Sequence, residues 1–347
     1  MKISILVTAH NNGEELERNL PQFFAQEYAD DFEVIVVVEK GEDDTDDALT
    51  RLKTQYPKLY STYVPESSRY VSRKKLAVTL GVKAARNEWI ILSEATCRPQ
   101  SEHWLSAMAA VVEGQTDAEE TQDAPYDMVL GYANFDEETS SFKRYLCLQR
   151  QQNLFDHARR RTAYSQEGRN LMFRKSMFLE GKGYDGNLKY IGGEYEFLVN
   201  KFAKRGNTAV ATTPESWLVE EKPYGKRWKN RQLFHLETRR HLKRSFFHRF
   251  QIVAWQALIH IPYIALIIFL AWGIAHSYWM LTAFAAIALV AVYGLRAYFA
   301  NWSNLAFDTK IPIWKLPLYE IAWAWHYLYY LIRYRLADKN SFICHKI

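Results

Sequence analysis

The sequence predicts an α/β domain on a mostly parallel sheet, followed by an α-helical transmembrane hairpin. Three observations carry this. Short β-rich apolar runs alternate with amphipathic helical stretches along the front of the chain, the pattern of a parallel sheet with right-handed helical crossovers. Two long apolar stretches without formal charge stand further back, at 252–272 and 278–295. A dense basic segment lies just before them. The chain has 347 residues. That suffices for one domain of roughly 200–250 residues plus an appendage of about 100.

Ile3–Thr8 is apolar and β-rich, a first strand that Asn11–Gly13 breaks. The opening MKISILVTAH reaches His10 and Asn11 too soon for a signal-peptide core and shows no cleavage pattern. It reads as the buried strand of a cytoplasmic domain. Glu14–Gln26 carries Leu16, Leu20, Phe23 and Phe24 at helical spacing. Phe32–Val38 is a continuous apolar run, a strand covered on both faces. Thr45–Gln55 reads as a helix, Leu59–Val64 as a third strand, Arg73–Ala85 as a basic amphipathic helix and Glu88–Leu92 as another buried strand. Val111–Pro125 is acidic and poor in apolar residues, a surface loop. From Met128 to about Trp217 strands and helices mix without clear alternation, and there is no internal repeat. Ligands of such sheets sit outside the carboxyl ends of the strands. Those ends fall at Thr8–Asn12, Glu39–Gly41 and Ser93–Arg98, all polar.

The net charge of +5 is modest, so its distribution matters more than its size. Lys222–Arg249 holds about ten Lys and Arg with one acid, Glu237. A basic run abutting a spanning helix serves as topology signal and lipid-phosphate contact, and nucleic acid is not expected as a partner. Cys97, Cys147 and Cys344 form no CxxC or CxxH pair, which suits reduced thiols rather than a metal or disulfide framework.

Ile252–Trp272 is about 21 residues long, just enough to cross a hydrocarbon core of about 30 Å. Tyr278–Leu295 is a slightly shorter second span, and residues 273–277 connect the two. Both are apolar all round, unlike the striped helices of a soluble core. The connector carries no Lys or Arg, so the basic side stays in the cytoplasm. Leu316–Tyr334 holds Glu320, His326 and many Trp and Tyr, and reads as an interfacial helix. The expected division is 1–245 for the α/β domain, 246–300 for the hairpin, and 301–347 for the interfacial helix and a cytoplasmic tail. A multi-pass inner-membrane protein with its front domain in the cytoplasm follows.

Several pieces in order carry a resemblance. They are ISILVTAHNNGEELERNLPQFFAQ with FEVIVVVEKGEDDT, then RKKLAVTLGVKAARNEWIILSEATCRP with Trp104-Leu105, then GRNLMFRKSMF, then GGEYEFLVNKFAKRGNTAV. Together they resemble the family-2 glycosyltransferases of the membrane-anchored bacterial type. The resemblance implies a GT-A fold, a nucleotide-diphosphate sugar as donor and inversion at the anomeric carbon. It further implies that Thr8, Ala9 and Asn11 line a uridine-type pocket and that Glu39 contacts base or ribose. Lys74 and Lys75 open a helix suited to phosphate contact. In SEAT, Glu94 and Thr96 stand where the family keeps the two acids of its DxD. One carboxylate and one hydroxyl can assist Mg²⁺ or Mn²⁺ whose other ligands are phosphates and waters. In GEYEFL, Tyr195 replaces the family's base Asp and leaves Glu194 and Glu196 as candidate bases. Arg169 and Asn170 resemble an acceptor-side loop. YGKRW is similar to the QxxRW element of processive synthases, with Arg227 toward the diphosphate and Trp228 toward a sugar, but Tyr224 stands at its leading position. The expected activity is sugar transfer to a lipid-linked or cell-envelope glycan acceptor, beside membrane lipid. The alternative is a subunit that binds nucleotide or glycan without turnover, since two motifs depart together.

Overall fold

The computed structural model describes residues 1–39, 44–65, 72–114, 126–244 and 246–344, with the backbone alone at 246–253 and 255–256. Contacts divide the chain into two compact units. The first comprises Met1–Thr139, Arg150–Leu242 and Leu336–Ile347; the second comprises Ser140–Gln149 and Lys243–Arg335.

The front of the first unit follows the alternation in the sequence. Its elements are β1 (Ile3–Ala9), α1 (Gly13–Phe24), β2 (Phe32–Val38), α2 (Thr45–Gln55), β3 (Leu59–Tyr63), α3 (Arg73–Ala84) and β4 (Trp89–Glu94). β1 and β4 are buried along their whole length, as strands covered on both faces must be. β3, β2, β1 and β4 pair in parallel. β4 runs two residues past the expected Leu92, which brings Ser93 and Glu94 level with Val7 and Thr8 of β1. Next come β5 (Cys97–Pro99) and α4 (Trp104–Glu113), so the expected loop from Val111 begins as helix, while 115–125 and 40–43, with part of the expected strand end Glu39–Gly41, lie outside the described residues. Trp104 meets Phe23 edge-on at 5.6 Å, fixing α4 beside α1. Such an aromatic pair contributes about 0.5–1.5 kcal/mol beyond its buried area.

The stretch without clear alternation has a topological cause. β6 (Met128–Gly131), β7 (Ala133–Phe135), α5 (Ser141–Arg160), β8 (Leu171–Arg174), α6 (Lys175–Glu180), α7 (Glu194–Phe202), β9 (Thr208–Ala211), β10 (Leu218–Glu220) and α8 (Gly225–His241) follow. The large sheet has the order β3-β2-β1-β4-β8-β6-β9. β8 enters antiparallel between β4 and β6, so the strictly alternating pattern ends there. β5, β10 and β7 make a separate small sheet. Asn170 joins these parts: its Nδ2 donates to Tyr132 O at 3.0 Å and Ser216 O at 2.8 Å.

The second unit is helical: α9 (Phe246–Ala275), α10 (Trp279–Ala306) and α11 (Leu316–Leu336), with the start of α5. Ala257–Ala275 and Trp279–Ala306 are long and apolar enough to cross a membrane. Ser277 takes a left-handed φ of 58° in the connector, and Tyr278 N–H returns to Gly273 O at 2.8 Å. Ile264, Ile268, Ile287 and Val290 are all exposed, a larger apolar surface than a water-soluble unit normally presents. Arg296 of α10 pairs with Glu320 of α11 at 2.8 Å, which accounts for the acid inside that aromatic helix. Cys97, Cys147 and Cys344 are free thiols.

Candidate active site

A cavity of about 880 Å³ opens at the strand ends of the first unit. Its first wall is the turn after β1. Asn11 sits at φ 53°, a left-handed conformation that Asn tolerates better than most side chains. Asn12 stabilises this turn, its Oδ1 accepting from His10 N–H at 3.0 Å and its N–H donating to Thr45 Oγ1 at 3.1 Å. Gly13 lies close against Asp44: a Cβ there would stand 2.4 Å from Asp44 Oδ1 and would push that side chain aside. Glu39 follows β2, and its N–H donates to Ala9 O at 2.9 Å. Burial raises the Glu39 carboxyl above its ordinary range, against the pull of Lys74 and His10. Thr8, Ala9, Asn11 and Glu39 all line the cavity.

The second wall is charged. Glu94, at the end of β4, is 4% exposed. Its carboxylate accepts from Lys74 Nζ at 2.8 Å, Arg169 Nε at 3.1 Å and an Arg227 guanidinium nitrogen at 3.3 Å. Burial disfavours the charged form, but Arg169, Lys74 and Arg227 outweigh it and hold this carboxyl far below the usual carboxylate range. The same Arg227 nitrogen donates to Thr96 Oγ1 at 3.1 Å. Arg169 lies 3.5 Å from Glu220, which also pairs with Arg231 at 2.9 Å. SEAT is therefore embedded in three cations.

The third wall carries two acids with opposite environments. Gly193, at φ 90°, turns the chain into α7, and a Cβ there would stand 2.6 Å from Thr238 Cγ2. Glu194 opens the helix and pairs with Lys74 at 2.6 Å. Burial would raise its pKa, yet Lys74 prevails and lowers it. Glu196 lies two residues on in the same first turn and has no ion-pair partner among the described residues. Burial, reinforced by the Glu194 charge, pushes its carboxyl up to about 7. Such divergence between neighbouring carboxyls separates an ionised charge-holder from a group poised to exchange protons.

The expected residues thus divide. Thr8, Ala9, Asn11, Glu39, Glu94, Arg169, Glu194, Glu196 and Arg227 surround one cavity. Lys75, Thr96, Asn170 and Trp228 are not in its lining. Lys75 is fully buried and donates to the Tyr190 and Gly192 carbonyls, the latter at 2.6 Å, while its neighbour Lys74 faces the cavity. Thr96 lies behind Arg227. Asn170 is spent on backbone carbonyls, and Trp228 packs edge-on against Phe135 at 6.2 Å. Arg231, His235 and Cys344 join the lining without having been anticipated. The Arg227–Arg231 spacing, one helical turn on α8, was the legible signal for the first of these; nothing local marks the other two.

The family model for glycosyl transferase family 21 matches residues 2–123. Among solved structures, the mannosyltransferase PcManGT from Pyrobaculum calidifontis, in complex with GDP-Man and Mn²⁺, superposes with a TM-score of 0.52. The two are 19% identical over 94% of this chain and 87% of that one. S. aureus TarS gives a TM-score of 0.47 at 14% identity, over 73% of this chain and 42% of that one. No curated protein sequence matches the chain. The fold is GT-A, and fold and family match together define the class as a glycosyltransferase.

Proposed function

We propose that the chain transfers a sugar, with inversion, from a nucleotide-diphosphate sugar to a lipid-linked or cell-envelope glycan acceptor at the cytoplasmic membrane face. The observation that carries this is the pairing of a neutral-range carboxyl, Glu196, with a cation cluster around Glu94 in one cavity. The Thr8–Asn11 turn and Glu39 take the nucleoside. Lys74, Arg169 and Arg227 face the diphosphate and take up the charge that develops as the sugar C1–O bond breaks. Glu196 accepts the acceptor hydroxyl proton as that oxygen forms the new bond to C1 from the opposite side. Glu194 stays ionised, fixes Lys74, and keeps the neighbouring Glu196 carboxyl basic.

Mg²⁺ or Mn²⁺ would be held through Glu94, an ionised carboxylate that lines the cavity, together with phosphate oxygens of the donor, whereas Thr96, whose Oγ1 accepts from Arg227, lies outside the lining. When bound, the ion supplies further neutralisation of the diphosphate. Lys74, Arg169 and Arg227 add positive charge of the protein's own at the same place, part of it already balanced by Glu94 and Glu194.

The membrane side of the proposal has its own support. Leu242 and Leu336 belong to the same compact unit, so the chain between them crosses a bilayer an even number of times. α9 and α10 supply two crossings, and α11 then lies along the interface.

The test is nucleotide release by the full-length chain in detergent. UDP-glucose, UDP-galactose, UDP-N-acetylglucosamine and GDP-mannose are offered with Mn²⁺ and with EDTA. Hydrolysis of at least one donor is expected. A second reading, nucleotide binding without turnover, draws on Tyr195 in the place of the family's base; UDP binding with no hydrolysis of any donor would favour it.

A further inference from the structure

The loop Leu188–Gly193 delivers Glu194 and Glu196 to the cavity, and it is held from several sides. From α3, Ser72 N–H donates to Leu188 O at 2.7 Å, and the Ser72 hydroxyl donates to Ile191 O at 2.9 Å. Lys75 donates to the Tyr190 and Gly192 carbonyls from below. From α8, the His241 ring stacks on Tyr190 at 4.2 Å. A Cβ on Gly192 would stand 2.9 Å from Phe234 Cβ, so loop and helix are in close contact.

The remaining side is covered by a segment more than a hundred residues further along the chain. Lys339–Phe342 forms a short 3₁₀ turn after Asp338, whose carboxylate accepts from Asn340 N–H at 3.0 Å. Ile191 N–H then donates to Phe342 O at 3.0 Å, and Cys344 N–H donates to Lys189 O at 2.8 Å. Tyr190 and Ile343 thereby form an antiparallel bridge. Phe342 is 3% exposed and meets Phe234 edge-on at 5.8 Å. Cys344 completes the arrangement as part of the cavity wall. Two hydrogen bonds and one buried ring hold this segment specifically against the loop.

We propose that Lys339–Cys344 is a positioning strap of the active site, which clamps Leu188–Gly193 and so sets where Glu194 and Glu196 stand. Lys75 is the matching clamp from beneath. The strap acts through these acids, so this inference rests on their proposed catalytic use. It implies that an isolated front domain ending at Leu242 is incomplete: the support of its loop, and Cys344 of its cavity lining, come from sequence beyond the helical unit.

The experiment compares the full chain with a version ending at Asp338, with Phe342→Ala and with Phe342→Leu. Amide hydrogen exchange over Lys189–Gly193 reads the strap without any donor. Truncation and Phe342→Ala are expected to speed that exchange by about tenfold or more, as local opening becomes easier. Donor hydrolysis is expected to lose about 100-fold in kcat, the scale of a 1 Å misplacement, with UDP affinity unchanged within about twofold. Phe342→Leu should recover most of both. Unchanged exchange over Lys189–Gly193 in a folded Asp338-terminated chain overturns the strap. So does a loss of turnover matched by an equal loss of UDP affinity. If the full chain hydrolyses no donor, the transferase reading fails by itself and the exchange result still decides the strap.

Discussion

Two neighbouring acids, Glu194 and Glu196, show how far side-chain identity can mislead and how environment corrects it. Both occupy the first turn of α7, where acids also favour the helix dipole. Lys74 makes Glu194 a committed anion, whereas Glu196 is half-buried beside that anion without a counter-ion of its own among the described residues. Glu196→Gln should therefore cut turnover by about 10²–10⁴ and leave UDP affinity nearly intact. The sign of the pH effect follows. A base must be unprotonated to act, so kcat/KM should rise with pH through about 7 and level off. A pH–rate profile without that limb in the wild type, or with the limb retained in Glu196→Gln, would remove Glu196 from the role. Glu94 makes a different prediction. Glu94→Ala leaves Lys74 with Glu194, Arg169 with Glu220 and Arg227 without this carboxylate in a partly buried place, a loss below the roughly 3–5 kcal/mol of a fully buried broken pair. The variant's Tm should fall, turnover should vanish, and UDP should raise its Tm by more than it raises that of the wild type, because the diphosphate restores the missing negative charge. Glu94→Asp should keep part of the activity. Equal UDP shifts in both proteins would place the diphosphate elsewhere.

Among the elements, the hairpin and α3 show what periodicity can and cannot convey. The two candidate spans are legible because a bilayer admits only helices whose backbone bonds close internally and whose side chains are apolar on every side. Ser277 stands at the turn between α9 and α10, so Ser277→Cys should react with an impermeant maleimide from outside intact cells. Cys344 is an internal reference, lining the cavity of the front unit, while Cys97 and Cys147 are buried. Labelling of Cys344 from outside, with Ser277→Cys protected, would invert the topology. α3 is the opposite case. Successive residues on a helix point about 100° apart, and that single step sends Lys74 into the cavity and Lys75 under the loop. The RKK sequence marks a basic helix start at phosphate height but does not say which lysine turns inward, because that depends on the loop Leu188–Gly193 packed over it.

For the whole molecule, ligand binding to the native state must stabilise it, by about 2.7 kcal/mol when the ligand is at 100 times its Kd. UDP or GDP at millimolar concentration should raise the Tm of the full chain in detergent. If no uridine, guanosine or thymidine diphosphate shifts it, the cavity is not a nucleotide site. The sequence alone determined the parallel front of the sheet, the strand ends that form the cavity, the acids of SEAT and GEYEFL, and the two helices long and apolar enough to cross a membrane. These are local: each is a run of residues whose pattern and neighbours in sequence already select one structure. Only the tertiary structure decided the antiparallel entry of β8, the three cations on Glu94, the assignment of Asn170 and Trp228 to packing, and the return of Lys339–Cys344 to the cavity wall. Those features pair residues far apart in the chain, and no local period records such a pairing. Which of two neighbouring charges is held and which is free is settled by distance and burial, and these exist only once the chain has folded.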